Sequence, residues 1–234
     1  MISETSENEE KPTLYEQRLK KELSVPDESV KSRMRWDMPI LSENSKCAVS
    51  LDLPIINCKP TKACSEVCYA CQGRQFYRRA IVKSLAVNRL IAEDPEHVAR
   101  KMVDEAAGRT IRLAGSGELL PQHADLVKYI EKYGGSWWGF TRRVDTHKAM
   151  PRLMFSIDAT TPASVLEYVR NDIPVSRRAY LRRPGDLPAP MKVAVTFPVH
   201  GARTPYTEYV PSSERDCPAV RHLVKGCWAC RRCY

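Results

Sequence analysis

The sequence predicts an α/β fold built on a parallel sheet, and three observations carry that reading. Short β-type runs alternate with helical stripes along the chain, and repeated strand–helix units within one domain imply parallel strands joined by right-handed crossovers. The 234 residues, 43% of them hydrophobic, suit one domain with a real core and small appendages. Most of the nine cysteines fall in two tight groups, one early and one at the end. Each group therefore points to a site of its own.

Residues 1–40 read as a partly disordered leader. The stretch 1–12 is acidic and polar, Thr13 to Leu23 (TLYEQRLKKEL) can form one short charged helix, and Val25-Pro26-Asp27 breaks it. Such a segment can cap the body or bind a partner, a mobile tail being the simpler expectation. Residues 41–200 form the α/β body and 201–234 a cysteine-rich extension.

Within the body, Lys46 to Leu53 (KCAVSLDL) alternates as a first strand and stops at Pro54. After the cysteine loop, Phe76 to Ala92 reads as a helix with Ile81, Leu85, Leu90 and Ile91 on its apolar face. The next helix has Asp94 as N-cap, Pro95 at its first position, Val98, Met102 and Ala106 four apart, and Gly108 as its stop. Thr110 to Leu119 is a β-type run ending in Ser116-Gly117-Glu118. Leu126, Tyr129, Ile130 and Tyr133 make a helical stripe, then Trp137 to Thr141 a strand, Arg152 to Ile157 another, and Val165, Leu166 and Val169 a further helical face. Arg178 to Leu181 and Met191 to Phe197 complete six strands. Ligands of parallel α/β sheets lie at the carboxyl ends of the strands. That edge carries the cysteine loop, Glu118, Arg142, Arg143, Ser156, Asp158 and His200.

The loop reads Cys64-Ser65-Glu66-Val67-Cys68-Tyr69-Ala70-Cys71. Three thiols at CxxxCxxC spacing on one short segment can meet a single inorganic centre. A four-iron cubane has four corners, so three thiolates leave one iron open to a small molecule. Structural zinc instead takes pairs of thiols from two separated knuckles and fills all four positions. A disulfide framework suits small secreted domains, not a chain of this length with an odd cysteine count.

With Tyr69 following the second thiol, this loop resembles the cluster loop of the radical S-adenosylmethionine (SAM) superfamily. The resemblance implies an open, partial (β/α)6 TIM-like barrel and a [4Fe–4S] cluster held by Cys64, Cys68 and Cys71. It implies that the open iron chelates SAM, whose reductive cleavage releases a 5′-deoxyadenosyl radical that takes hydrogen from a substrate. An electron donor such as flavodoxin or ferredoxin is implied as a partner. Ser116-Gly117-Glu118 resembles the superfamily's Gly-Gly-Glu-like turn at the SAM amino group, with serine in place of the first glycine. Tyr69 belongs to the same cofactor-binding set, and Ser156 or Asp158 would reach the SAM ribose. Asp158 as a cap for the following helix is the other reading its position allows.

Cys217, Cys227, Cys230 and Cys233 form a second group, three of them at CxxCxxC spacing closer to a ferredoxin run than to zinc knuckles. A second [4Fe–4S] cluster is the preferred reading and a four-thiolate zinc site the alternative. Cys47 and Cys58 receive no role. The net charge of +9 and pI near 9.1 favour acidic partners, so a nucleic acid is one expected substrate class; the resemblance implies a peptide as the other, since auxiliary clusters and small barrels suit radical peptide modification. Trp137, Trp138 and Phe140 beside Arg142 and Arg143 would serve stacking and phosphate contact, or are simply core residues. No apolar run approaches the ~20 residues of a membrane span, which with the reduced thiols points to the cytoplasm and no membrane partner. The competing function is a non-catalytic zinc-binding module that binds nucleic acid.

Overall fold

The computed structural model describes residues 11–44, 48–71, 73–182, 186 and 189–198. Among these described residues seven strands lie in one open sheet in chain order: β1 (Ser42–Asn44), β2 (Ala48–Asp52), β3 (Ile111–Ser116), β4 (Trp137–Thr141), β5 (Met154–Asp158), β6 (Arg178–Arg182) and β7 (Val195–Pro198). β1 runs antiparallel to β2, and every later neighbour pair is parallel. All six expected strands are present. β1 is additional, and three residues are too few to show an alternation.

The strand order never reverses, so crossovers of the usual hand bring the helices to one face. Burial agrees. Val49, Leu51, Ile111, Leu113 and Trp137 enter one core with Leu90, Val98, Met102 and Leu126, which belong to α4 (Arg78–Glu93), α5 (Pro95–Ala106) and α6 (Ala124–Lys132). Phe155, Ile157 and Tyr180 meet Val165, Leu166 and Val169 of α8 (Ala163–Asp172). The intervening residues Phe140, Met154, Ala179 and Val195 form a separate small cluster, as the two-residue period of strands requires of the opposite face.

Local chemistry sets the helix ends. The Asp94 carboxylate accepts from the His97 amide at 2.9 Å and Pro95 opens α5. Ala107 takes the left-handed conformation at its end, followed by Gly108 at φ +79°. Between β4 and β5 a short α7 (Val144–Ala149) fills a stretch whose sequence shows no clear period.

Residues 14–44 depart from the expectation of a mobile tail. α1 (Leu14–Leu23) matches the helix expected over Thr13 to Leu23, starts on a Thr13 capping box and packs on the body with Arg18 and Glu22 buried. After α2 (Asp27–Lys31), Val30, Met38, Ile40 and Leu41 enter the main core. The Ile40 and Leu41 amides donate to the Glu105 carboxylate at 2.8–3.0 Å, and Lys83 Nζ donates to the Leu41 carbonyl at 2.8 Å. These apolar residues are too scattered to show a helical or strand period, so only tertiary contact reveals their purpose.

The β2–β3 pairing carries a bulge. Ser50 faces Arg112 and Asp52 faces Ser116, so β3 spends two extra residues there, with Ala114 at φ +53°. Bulges re-aim side chains beside functional sites. This one turns Ser116-Gly117-Glu118 onto the start of the cysteine segment: Ser116 Oγ donates to the Leu53 carbonyl at 3.3 Å, and the Leu53 amide to the Ser116 carbonyl at 2.9 Å. Gly117 sits at φ +71°, where a Cβ would lie 2.3 Å from the Leu53 oxygen and 2.6 Å from the Pro54 oxygen. Backbone on both sides cannot give way. Gly117→Ala is expected to cost about 3 kcal/mol of stability from strain plus overlap, read as a shift in the urea-unfolding midpoint.

Candidate functional site

The carboxyl ends of β2 to β5 converge on one set of side chains. Beyond β2 the chain turns through Ile55–Asn57 into α3 (Lys62–Val67), and a further turn, Tyr69–Cys71, completes the cysteine segment. Thr61 caps α3, its Oγ1 accepting from the Cys64 amide at 3.2 Å. The same hydroxyl donates to Asp158 Oδ2 at 2.5 Å and accepts from Arg142 Nη1 at 3.0 Å. Arg142 Nη1 also pairs with Asp158 Oδ2. Thr160 Oγ1 accepts from the Ala63 amide at 2.9 Å, and Asp158 Oδ1 accepts from the Thr160 amide at 2.9 Å. The end of β5 thus holds the start of the cysteine helix.

Electrostatics follow from that packing. Burial works against the Asp158 carboxylate, yet Arg142, Thr61 and the Thr160 amide keep it below the usual range. Burial depresses the Arg142 guanidinium, and Cys64, Asp158 and Glu118 more than restore it. Arg142 Nη2 is nevertheless buried without an acceptor among the described residues. Glu118 is its counterpart. Burial lifts its carboxyl to about 7, against the pull of the Thr141 hydroxyl, the Arg142 amide and the Arg142 and Arg143 charges. Glu118 Oε1 has no donor among the described residues.

The thiols Cys58, Cys64, Cys68 and Cys71 are all free of disulfides. The Cys71 thiol hydrogen-bonds to Cys68; that bond, with the Ala70 and Cys71 amides, draws Cys68 below the ordinary thiol value and, with burial, drives Cys71 above it. Burial raises the Cys64 thiol while Arg142 opposes the rise. Burial, then Glu118, Cys68 and Cys64, push Cys58 well up. Among the described residues no three Cys, His, Asp or Glu side chains converge as they stand on a point where a metal ion would sit. In kind, the donors fit a sulfur-bound centre: thiols on one loop, and beside them a carboxyl and a guanidinium that each keep one buried atom without a partner among the described residues.

Helix α1 roofs this loop. Leu14, Tyr15 and Leu19 pack with Ile55, Ala70, Cys71, Cys58 and Cys68. The Glu22 carboxylate accepts from the Ile55 and Ile56 amides at 3.2 and 2.8 Å, and Tyr15 donates to the Ile55 carbonyl at 3.4 Å. Burial, aided by Cys58, Glu22, Cys68 and Cys71, pushes the Tyr15 phenol up to about 12.

A family model described as Gene product 88 matches residues 14–234. The chain belongs to the Gene product 88 family. No curated protein and no solved structure matches it. The match opens at the first residue of α1, so the family's pattern takes in the roof as well as the cysteine loop.

Of the residues singled out by sequence, Cys64, Cys68, Cys71, Glu118, Arg142 and Asp158 come together here. Ser116 and Gly117 are backbone spacers beside them, and Ser156 is buried on β5 two residues before Asp158. Asp158 does not cap α8, whose N-cap is Pro162 without a side-chain bond. Its two oxygens instead serve Thr61, Arg142 and Thr160. The Tyr69 side chain, His200, Cys47, Cys217, Cys227, Cys230 and Cys233 lie outside the described residues. Trp137 and Trp138 are buried, 6% and 3% exposed, so neither offers a face for base stacking. Thr61 and the α1 residues Tyr15, Arg18 and Glu22 were missed by sequence reasoning; only the periodic Leu14, Arg18 and Glu22 spacing of a short charged helix hinted at the last group.

Glu118 supplies a test of this electrostatic picture. Folding favours its protonated form, so its contribution to stability is complete below the ordinary value of 4.5 and is lost as pH rises through about 7. Urea unfolding at about pH 5 and about pH 8 should show wild type losing about 3 kcal/mol relative to Glu118→Gln across that interval. Equal pH slopes for the two proteins would contradict a buried, proton-holding carboxyl.

Proposed function

We propose that the chain is a radical SAM enzyme, which cleaves SAM reductively at a [4Fe–4S] cluster and takes hydrogen from a substrate. One observation carries the reading: a carboxyl and a guanidinium, each with a buried atom lacking a partner, flank Cys64 at the sheet's carboxyl edge. An α-amino acid group carries an ammonium and a carboxylate, and Glu118 and Arg142 are the complementary pair. The thiol spacing and the unreversed parallel order support the same reading, the latter being what a partial (β/α)6 barrel requires.

When bound, the cluster would pass on one electron received from a donor such as flavodoxin or ferredoxin and offer an open iron, and SAM would supply the radical. The chain's own residues do the rest. Cys64, Cys68 and Cys71 would hold the cluster; Asp158, through Thr61 and Arg142, fixes where Cys64 stands. Glu118 and Arg142 orient the ligand's amino acid end, with Ser116-Gly117 bringing backbone close and Ser156 near the ribose. The α1 roof and the buried loop exclude water, which a reactive carbon radical demands. Cys217, Cys227, Cys230 and Cys233 would hold an auxiliary [4Fe–4S] cluster, or zinc. The substrate is a nucleic acid or peptide, met by a chain of net charge +9. Among the described residues no helix is long and apolar enough to cross a membrane.

Anaerobic reconstitution with iron and sulfide is expected to give a brown protein that releases 5′-deoxyadenosine from SAM with dithionite. Cys68→Ala abolishes that release. Glu118→Gln and Arg142→Met each weaken SAM binding at least about tenfold, ~1.4 kcal/mol, by equilibrium dialysis. A colourless protein that retains only zinc and binds no SAM would establish the zinc module instead.

A further inference from the structure

Arg18 lies on the face of α1 that meets the cysteine loop, between Tyr15, Leu19 and Glu22, and is 1% exposed. Nothing about packing calls for a cation there. Leu14, Tyr15 and Leu19 already seal the loop with apolar surface, and an arginine keeps its charge wherever it is placed. Its partner compensates it only in part. Arg18 Nη1 lies 3.1 Å from Glu22 Oε2, but the approach misses hydrogen-bond geometry, and neither Nη1 nor Nε finds an acceptor among the described residues. The Glu22 carboxylate meanwhile is shared with the Ile55 and Ile56 amides. Cys71 and Cys68 pack against the neighbouring residues of α1, and their negative charge would favour the guanidinium. A buried cation with spare donors, near thiols, is expensive unless something anionic sits before it.

We infer that Arg18 is the counter-charge of the sulfur site, a positioning residue by which helix α1 sets the reduction potential of the centre that Cys64, Cys68 and Cys71 hold. The inference rests on the proposed function. A cubane bound by three thiolates is an anion, and accepting an electron makes it more so. A fixed cation in a site of low polarity favours the reduced form more than the oxidised one. Glu22 opposes Arg18 in this respect, and the two side chains therefore act with opposite signs.

The test uses the full chain, reconstituted anaerobically with iron and sulfide, with the cluster's midpoint potential followed by EPR. Arg18→Gln is expected to reduce the ratio of reduced to oxidised cluster at a fixed potential at least tenfold, a fall of about 59 mV for one electron. Glu22→Gln removes the anion and leaves the cation, and the potential is expected to rise. Arg18→Lys keeps the charge and stays near wild type. If α1 were only a lid, Arg18→Gln and Glu22→Gln would loosen it alike and shift the potential the same way; that outcome, or unchanged potentials, overturns the inference. Should Arg18→Gln not fold, Glu22→Gln decides alone, a rise supporting and a fall or no change overturning. Wild-type protein that takes up no iron and sulfide overturns the proposed function and this inference with it. Wild-type protein with a cluster and flat potentials across the variants removes only Arg18's part.

Discussion

The Asp158 carboxylate is the fixed point of the carboxyl edge. It joins β5 to a hydroxyl 97 residues earlier in the chain and to a guanidinium 16 residues before it. Its consequence reaches the thiols through α3, six residues long and far too short to persist as a helix by itself. Thr61 caps that helix and is held by Asp158; Ala63, one residue before Cys64, is held by Thr160. The location of the first thiol is therefore dictated by strand β5, not by the loop that carries it. Sequential strand order makes this possible, because it sets the ends of β2, β3, β4 and β5 side by side.

That edge is costly in stability. Arg18, Glu22, Glu118 and Asp158 are buried and Arg142 nearly so, and buried ion pairs often stabilise less than apolar residues of the same volume. The main core carries less of this. Leu51, Ile111 and Leu113 pack with apolar neighbours, and the charged Glu105 and Lys83 bond its Ile40 and Leu41 backbone. The division is what a site maintained against stability looks like: local rules of burial hold through the scaffold and break where chemistry is placed. Glu118 shows the compromise within one side chain, its carboxyl lifted to about 7 by burial while two arginines and a hydroxyl pull it back.

Much of the scaffold was legible in the sequence because its signals are local. The alternating first strand, the Trp137–Thr141 strand and the Asp94-Pro95 start of α5 each need only neighbouring residues. Asp158 shows the opposite case. Its place after a strand and before a helix suggested either a cap or a ligand contact, and the structure gives it to Thr61 and Arg142, which no local pattern could single out. The segment from Val25 to Leu41 was likewise opaque, since its apolar residues fill gaps in a core built by other elements. The β3 bulge was visible only as Ala114-Gly115, small residues whose meaning depends on Ser50 and Asp52 across the strand pair.

Cys58 bears on whether the loop offers three sulfurs or four. It is near Cys64 and Cys68, so a closed four-thiolate ion site has a candidate fourth donor. Thiolate is the ligand form; burial, the Glu118 carboxylate and the two neighbouring thiols resist ionisation at Cys58, but Cys68 and burial resist it at Cys71 as well, so acidity does not set the two apart. Cys68 has two backbone amides and a thiol donor to hold its negative charge, and Cys64 has Arg142. A closed site would leave the unpartnered atoms of Glu118 and Arg142 without purpose, whereas a centre with one position left for a zwitterionic ligand uses both. What supports three protein ligands over four in the proposed reading is thus the pair of unpartnered atoms on Glu118 and Arg142, not the acidity of the thiols.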